Sequence, residues 1–319
     1  MSEALSKLDT SRKYRLITRS DMDGLVCGIL LKDLDLIDDV TFAHPKDMQD
    51  GIIEIGEADI TTNLPYVPGV YMAFDHHASE VERIEKDIKN HVINPRAPSA
   101  ARVVYEHFGG KDTFPHISDE MMEAVDKADS AQFTEDEILN PKGWVLLNFI
   151  MDSRTGLGRF RDFNISNYNL MMNLIDTCRE HQNIDEILQV PDIKERVDLY
   201  FEHQDKFREQ IQRCAAIHKN LVVLDYRQEE TIWSGNRFVV YAMFPNTNIS
   251  IHVLWGKNKQ NTVFAVGKSI LNRTSSTNIG QLMLIHGGGG HEAAGTCQVP
   301  NLQAETVLEE LIDKITSDG

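Results

Sequence analysis

The sequence predicts an α/β protein of two domains, and three observations lead to this fold class. Short apolar segments alternate with helical segments over the first part of the chain, which is typical of a mostly parallel sheet with helices on both faces. Residues 165–220 are almost wholly helical in pattern, and strands return after them. We therefore expect a first domain over residues 1–190, a helical linker over residues 191–220 and a smaller mixed α/β domain over residues 221–319.

The composition is that of an ordinary globular protein, with 41% hydrophobic residues in a chain of 319. The formal net charge of −17 argues against a protein that coats long duplex nucleic acid, because that affinity needs clustered Lys and Arg. The cysteines Cys27, Cys178, Cys214 and Cys297 form no Cys-x-x-Cys pair and fit reduced thiols. The polar segment before Lys13 is unlike a signal peptide, so a cytoplasmic location without membrane contact is expected.

The first predicted strand, residues 14–18, leads into a turn with two acidic residues. Asp21 and Asp23 lie two apart directly after the strand and can reach toward one point, while Gly24 lets the backbone approach a ligand. A helix begins near Leu25. One of the two carboxylates could instead serve only as the helix cap, because Asp is a favoured N-cap residue.

Further strands are predicted over residues 40–44, 58–63 and 70–77. The last of these ends in Phe74-Asp75-His76-His77. Ligands of open α/β sheets bind outside the carboxyl ends of the strands, which makes this end a candidate site. Adjacent strand residues point to opposite faces, so both histidines can serve one point only if the strand has already ended. Taken alone, the three polar residues are equally consistent with a surface turn and with a metal or phosphate site.

Helices are predicted over residues 80–90 and 99–108, and a further helix with two acidic residues follows Ser118. Asp126 and Asp129 are three apart and can face one side of that helix. For Asp126 we favour an ion pair or solvent exposure. For Asp129, which precedes Ser-Ala-Gln-Phe, we favour a role in the site.

The second domain is predicted to contain strands over residues 221–225, 238–244, 249–254 and 263–266. Four consecutive glycines follow, Gly287 to Gly290, and then His291. Such a run costs backbone entropy, but its N–H groups can line a nest that holds an anion, with help from a following helix N-terminus. The alternative, a flexible linker, fits the apolar neighbours of the run less well.

Four motifs now stand in the order and spacing of one family. Asp-x-Asp-Gly follows the first strand, Phe-Asp-His-His ends the fourth, Asp-Ser-Ala-Gln-Phe ends the acidic helix, and Gly-Gly-Gly-Gly-His-x-Ala-Ala-Gly lies near the C-terminus. Over nearly its whole length the chain resembles the DHH phosphoesterase superfamily with its DHH-associated C-terminal domain, which includes exopolyphosphatase-related and nanoRNA oligoribonuclease-like proteins. The resemblance implies a manganese-dependent hydrolase whose active site lies in the cleft between a catalytic and a substrate-binding domain.

The resemblance also implies roles for individual residues. The implied ligands are Asp21 for a first Mn²⁺ ion and Asp23, His76 and Asp129 for a second. His77 would face the substrate phosphate, and Asp75 would orient the histidines. The implied substrate-binding residues are Gly288, Gly289, Gly290, His291 and Arg273.

Two positions depart from the family pattern. Many members have a histidine ligand where this chain has Arg19, and a bridging aspartate at the end of the third strand where it has Asn63. Asn63 offers a carbonyl oxygen without charge, unless Asp59 substitutes from the other end of the strand. Both changes affect the same ion, so we predict a weak or absent first metal site, with the Arg19 guanidinium contacting phosphate in its place.

Two functions are compatible with these residues. The favoured one is a metal-dependent phosphoesterase, with one or two Mn²⁺ ions, acting on a small phosphoester or phosphoanhydride such as a short single-stranded oligonucleotide, a nucleotide phosphate or polyphosphate. The alternative is a degenerate member that binds such a ligand with little or no turnover. The acidic composition favours a short substrate over a long strand, and the resemblance suggests a homodimer.

Overall fold

The structure is a computed structural model that describes residues 8–84, 88–160, 162–181 and 183–319. Two compact units can be distinguished within it. The first unit comprises the described residues of Met1–Gln132, Lys142–Ser153 and Leu157–Asp198. The second unit comprises Phe133–Pro141, Arg154–Gly156 and Leu199–Gly319.

The elements are numbered in chain order. The strands are β1 (Tyr14–Thr18), β2 (Ile37–Phe42), β3 (Asp59–Thr62), β4 (Met72–Asp75), β5 (His91–Ile93), β6 (Ala215–His218), β7 (Leu221–Asp225), β8 (Ile249–Trp255), β9 (Thr262–Lys268), β10 (Gly289–His291) and β11 (Ala294–Val299). The α-helices are α1 (Met22–Asp33), α2 (Pro45–Gln49), α3 (Ala78–Arg83), α4 (Ala100–His107), α5 (Asp119–Asp129), α6 (Glu135–Leu139), α7 (Gly143–Met151), α8 (Asn167–Glu180), α9 (Ile184–Ile187), α10 (Pro191–Cys214), α11 (Val239–Met243), α12 (Ile279–Ile285) and α13 (Ala304–Asp318).

The sheet of the first unit is parallel throughout, with strand order β2-β1-β3-β4-β5. Successive residues of β1 point to opposite faces, and both faces are covered. Leu16 packs beside Gly28 of α1, whereas Ile17 packs with Met48 of α2 and with Leu64. The predicted parallel sheet with helices on both faces is therefore confirmed.

The strand order reverses between β1 and β3. The chain runs outward from β1 to β2 and then returns to place β3 on the other side of β1. At the carboxyl ends of these strands the Thr62 hydroxyl donates to the Thr18 hydroxyl at 2.7 Å. Ligands of open α/β sheets bind at such a reversal. The segments that follow β1 and β3 are those that carry Asp21 and Asn63.

The sheet of the second unit is mixed, with strand order β10-β11-β9-β8-β7-β6. Strands β7 and β8 are parallel, and the other neighbours are antiparallel. One face of this sheet packs against α12 and α13 through a core that includes Ile251, Phe264, Met283 and Leu311. The predicted mixed α/β character of the C-terminal part is confirmed.

Several local predictions were wrong. The strand predicted over residues 238–244 is the short helix α11, because an apolar run of this length cannot distinguish a buried strand from a buried helical turn. The short strands β5 and β6 were not predicted, and β6 lies where the sequence indicated helix. The helix expected over residues 80–90 ends at Arg83, and residues 85–87 of that prediction lie outside the described part of the chain.

The glycine run begins as the end of a helix. Gly287 adopts φ +74°, and its N–H donates to the Leu284 carbonyl at 3.1 Å. The N–H of Gly288 donates to the Met283 carbonyl at 2.9 Å. These are the two hydrogen bonds of a Schellman motif, which satisfies the last carbonyls of α12. The run then leads into strands β10 and β11 rather than into the expected helix N-terminus, and these two N–H groups are already used within the unit.

Gly290→Ala is expected to lower the free energy of unfolding by about 1–3 kcal/mol. Gly290 has φ +157°, and an added Cβ would lie 2.3 Å from the Ala294 carbonyl oxygen. The matched control is Gly289→Ala, because a Cβ there meets no atom within 4 Å. Urea denaturation of the full chain compares the two midpoints. Equal midpoints for the two variants would contradict the described pairing of β10 with β11.

Candidate functional site

Three predicted metal ligands converge in the first unit. Asp23, His76 and Asp129 each offer a ligand atom, and these atoms lie within 4.8 Å of one another. His76 Nε2 is 2.9 Å from Asp129 Oδ2. The three residues come from the first turn of α1, the turn after β4 and the last position of α5, which the fold brings to one point.

Asp23 is nearly completely buried, with 2% of its surface exposed. Its two carboxylate oxygens accept hydrogen bonds from the N–H groups of Ala100 at 2.9 Å and Ala101 at 2.7 Å, the first two residues of α4. Burial raises the pKa of the Asp23 carboxyl well above its ordinary value, and the charges of Asp129 and Asp21 raise it further. A bound cation would relieve this repulsion, so the surroundings of Asp23 fit a metal ligand.

His76 presents the nitrogen that a metal would need. Its Nδ1 lies 3.2 Å from the Ala97 carbonyl oxygen, which can only accept, so Nδ1 carries the hydrogen and Nε2 faces Asp129. This arrangement is typical of metal-binding histidines. Burial by itself would lower the pKa of the imidazole, but the hydrogen bond and charge of Asp129 outweigh burial and raise that pKa to about 9.

Asp75 organises the turn that carries the histidines. Strand β4 ends at Asp75, so the backbone has left the strand when it reaches His76 and His77. The fully buried Asp75 Oδ1 lies 2.7 Å from His77 Nδ1 and accepts the N–H of His76 at 2.8 Å. The His77 side chain is 37% exposed, which leaves its ring accessible to a ligand.

Asp21 lies beside this cluster and has protein partners of its own. As the N-cap of α1, its Oδ1 accepts the N–H of Gly24 at 3.0 Å, and Asn63 Nδ2 lies 3.5 Å from the same oxygen. Its Oδ2 is 3.2 Å from Arg19 Nε. Asp21 therefore caps the helix, which was one of the two interpretations of the acidic turn. Arg19 supplies positive charge to the Asp21 carboxylate, for which the family resemblance implied a metal ion.

The buried oxygens Asn63 Oδ1 and Asp75 Oδ2 have no hydrogen-bond partner within the described part of the chain. Asn63 directly follows β3 and has φ +55°, and its N–H donates to the Phe74 carbonyl at 3.1 Å, which places it next to Asp75. Because unsatisfied buried acceptors are costly, these atoms fit a bound water or cation.

Two further carboxylates have structural partners. Asp59 lies at the amino end of β3, and its carboxylate is held by Arg15 at 2.8 and 3.0 Å and by the N–H of Gly56. It therefore does not substitute for Asn63. Asp126 pairs with Arg102, in line with the favoured interpretation of that residue.

The predicted substrate-binding residues of the second unit lie in two segments. Gly289, Gly290 and His291 form the exposed strand β10, directly after Gly288. Arg273 is exposed, and its Nε donates to the Ile270 carbonyl at 3.1 Å. Contact of these residues with a substrate stays a prediction.

The groups that hold the cluster in place were not predicted. The partners of Asp23 and His76 are main-chain groups of Ala97, Ala100 and Ala101. Alanine carries no chemical signal in the sequence. The available indication was the Pro98-Ser99 helix start, which placed a helix N-terminus here without showing what it would face.

The sheet and the gathered carboxylates and imidazoles define the class of protein: the chain belongs to the DHH phosphoesterase superfamily. A solved structure that shows the family is the pGpG-specific phosphodiesterase PggH from Vibrio cholerae, which is 62% identical, covers 96% of this chain and 100% of its own, and superimposes with a TM-score of 0.86. The predicted family and the predicted class of function, a phosphoesterase, are thereby confirmed.

More distant structures share the fold. RecJ from Thermus thermophilus in complex with Mn²⁺ is 13% identical, with a TM-score of 0.54, and the match covers 99% of this chain and 54% of RecJ. RecJ from the same organism in complex with Mg²⁺ is 12% identical, with a TM-score of 0.50, over 98% of this chain and 51% of RecJ. No family model and no curated protein matches the chain. Among the described residues, no helix combines the length and apolar character needed to cross a membrane.

Proposed function

We propose that this chain hydrolyses the phosphodiester bond of the guanosine dinucleotide pGpG. The observation that carries the proposal is the 62% identity with the pGpG-specific phosphodiesterase over 96% of the chain. The cluster of Asp23, His76 and Asp129 supports it, because that cluster offers the ligands a metal-dependent phosphoesterase needs.

We further propose that the cluster holds Mn²⁺. Two carboxylates and one imidazole form a mixed oxygen and nitrogen donor set. Such a set suits Mn²⁺ better than Mg²⁺, because Mg²⁺ sites contain almost only oxygen ligands. When bound, the ion would activate a water and neutralise charge on the phosphoryl group. Asp23 and Asp129 supply the negative charge for it, and the hydrogen bond from His76 Nδ1 to Ala97 keeps Nε2 available.

His77 and Arg19 are proposed to act on the substrate phosphate. Asp75 holds His77 Nδ1, which orients the ring. In its doubly protonated form, the ring can donate a hydrogen bond or a proton from Nε2 to a phosphate or leaving-group oxygen. Arg19 keeps a fixed positive charge beside Asp21, and its remaining guanidinium donors suit a phosphate oxygen.

The proposal is tested with the purified full chain and a panel of substrates in Mn²⁺, Mg²⁺ or chelator. The panel contains pGpG, the adenosine dinucleotide pApA, phosphoadenosine phosphate, cyclic di-AMP and short polyphosphate, with products separated by chromatography. We expect Mn²⁺-dependent conversion of pGpG to GMP with the highest kcat/KM of the panel. A higher kcat/KM for polyphosphate or phosphoadenosine phosphate would contradict the proposed substrate and favour the exopolyphosphatase-related function.

A second candidate is a binding protein with little turnover. Arg19 and Asn63 favour it, because they replace a metal ligand and a charge in the family pattern. Tight binding of pGpG without hydrolysis of any panel member, unchanged in Asp23→Ala, would establish this alternative.

We also propose that the chain forms a homodimer. Light scattering after size exclusion, which distinguishes a 36.2 kDa monomer from a dimer, tests this proposal.

A further inference from the structure

One short segment, residues 97–102, contacts two of the three clustered ligands directly. The Ala97 carbonyl fixes His76 Nδ1 at 3.2 Å, and the N–H groups of Ala100 and Ala101 fix both oxygens of Asp23. The orientation of these two ligands therefore depends on where the backbone of the 97–102 segment lies.

The same segment is tied to the helix of the third ligand by side chains. Arg102 donates to Asp126 Oδ2 from Nε at 2.9 Å and from Nη2 at 2.5 Å. The completely buried Ser99 donates from its hydroxyl to Asp126 Oδ1 at 2.7 Å, and that hydroxyl accepts the N–H of Arg102 at 3.0 Å. Asp126 lies three residues before Asp129 on α5, so both belong to one rigid helical turn.

We propose that Arg102, Ser99 and Asp126 are positioning residues for the metal cluster. By fixing the 97–102 segment to α5, they set the separation between Asp129 and the other two ligands. The proposal rests on the proposed function, since it assigns these residues to the metal site of that function. Ligand sets must be held within about 0.5 Å of their working geometry, and groups that orient metal ligands typically change affinity by about 10–100-fold when removed.

Arg102→Met removes the ion pair and keeps much of the side-chain volume. The matched control is Arg15→Met. Arg15 also binds one aspartate, Asp59, with two hydrogen bonds. This pair lies at the amino ends of β1 and β3, whereas Asp23 and His76 follow the carboxyl ends of strands in the same sheet. Ser99→Ala is a milder second variant that removes one hydrogen bond to Asp126. The Kd for Mn²⁺ is measured on the full chain by following free Mn²⁺ with electron paramagnetic resonance, without substrate, and thermal unfolding confirms that each variant is folded.

We expect the Kd for Mn²⁺ to rise about 10–100-fold in Arg102→Met and to a smaller extent in Ser99→Ala. In Arg15→Met it should stay within about twofold of wild type. At saturating Mn²⁺, the kcat of Arg102→Met for pGpG should return to within a few-fold of wild type with unchanged KM. A purely structural ion pair would lower the unfolding temperature of both Arg variants without changing either Kd.

Equal Kd values for Arg102→Met and Arg15→Met would overturn the inference. If Arg102→Met does not fold, the Kd for Mn²⁺ is measured in Arg102→Lys and Ser99→Ala instead. A wild-type Kd in both of these variants would overturn the inference. A wild-type chain that binds Mn²⁺ but leaves pGpG intact contradicts the proposed substrate alone. A wild-type chain that binds no Mn²⁺ overturns the metal site and this inference together.

Discussion

Asp23→Asn is expected to abolish Mn²⁺-dependent hydrolysis, with kcat/KM for pGpG lowered by about 10³-fold or more. Asn keeps the shape of the side chain but removes the charge that a cation requires. Its amide group would also face the N–H of Ala100 or Ala101, where Asp23 now accepts two hydrogen bonds. Initial rates at several Mn²⁺ concentrations, together with the Kd for Mn²⁺, measure the effect.

Asp59→Asn is the matched control for this variant. Asp59 is 4% exposed, close to the 2% of Asp23, but its carboxylate is bound by Arg15 at the amino end of β3. We expect it to lose stability and to keep the wild-type Kd for Mn²⁺ and the wild-type rate. Similar activities for the two variants would mean that Asp23 has no special role in the metal site.

The wild-type chain is expected to bind one Mn²⁺ ion, and the double variant Arg19→His with Asn63→Asp is expected to bind two. The double variant adds the imidazole and the carboxylate of the family pattern beside Asp21, and it removes the guanidinium that now pairs with that carboxylate at 3.2 Å. Equilibrium dialysis followed by elemental analysis counts the bound ions per chain.

Arg15→His combined with Asn63→Asp serves as the control, because it adds the same two residue types but places the imidazole near the amino end of β1, away from Asp21.

Arg19→Ala alone should lower kcat by about 10²–10³-fold, the typical loss when a charged donor to a transition state is removed. Two ions bound to the wild-type chain, or full activity in Arg19→Ala, would show that Arg19 does not replace an ion.

The parallel sheet was predicted correctly because side-chain type and strand position carry that information. The apolar run before Asp75 requires a buried strand, and the acidic turn after β1 falls at the same edge because both strands are parallel. Asp129 was favoured over Asp126 as a site residue, and the structure places Asp129 beside His76 while Asp126 binds Arg102.

The remaining features depend on information that residue types do not carry. The glycine run was interpreted as an anion nest, but Gly287 and Gly288 end a helix, and both uses require the same conformational freedom. Residues 239–243 form a helix although their composition suits a strand equally well. The supports of Asp23 are backbone groups, which are the same for every residue type except proline.

The three clustered ligands come from segments far apart in the chain, and this separation has a thermodynamic consequence. An unfolded chain cannot bring Asp23, His76 and Asp129 together, so an ion that binds them is a ligand of the native state. At a free ion concentration of 100 times Kd, such binding adds about 2.7 kcal/mol to the free energy of unfolding. An ion bound at these three residues would therefore raise the resistance of the protein to unfolding and to proteolysis as well as supply its catalytic chemistry.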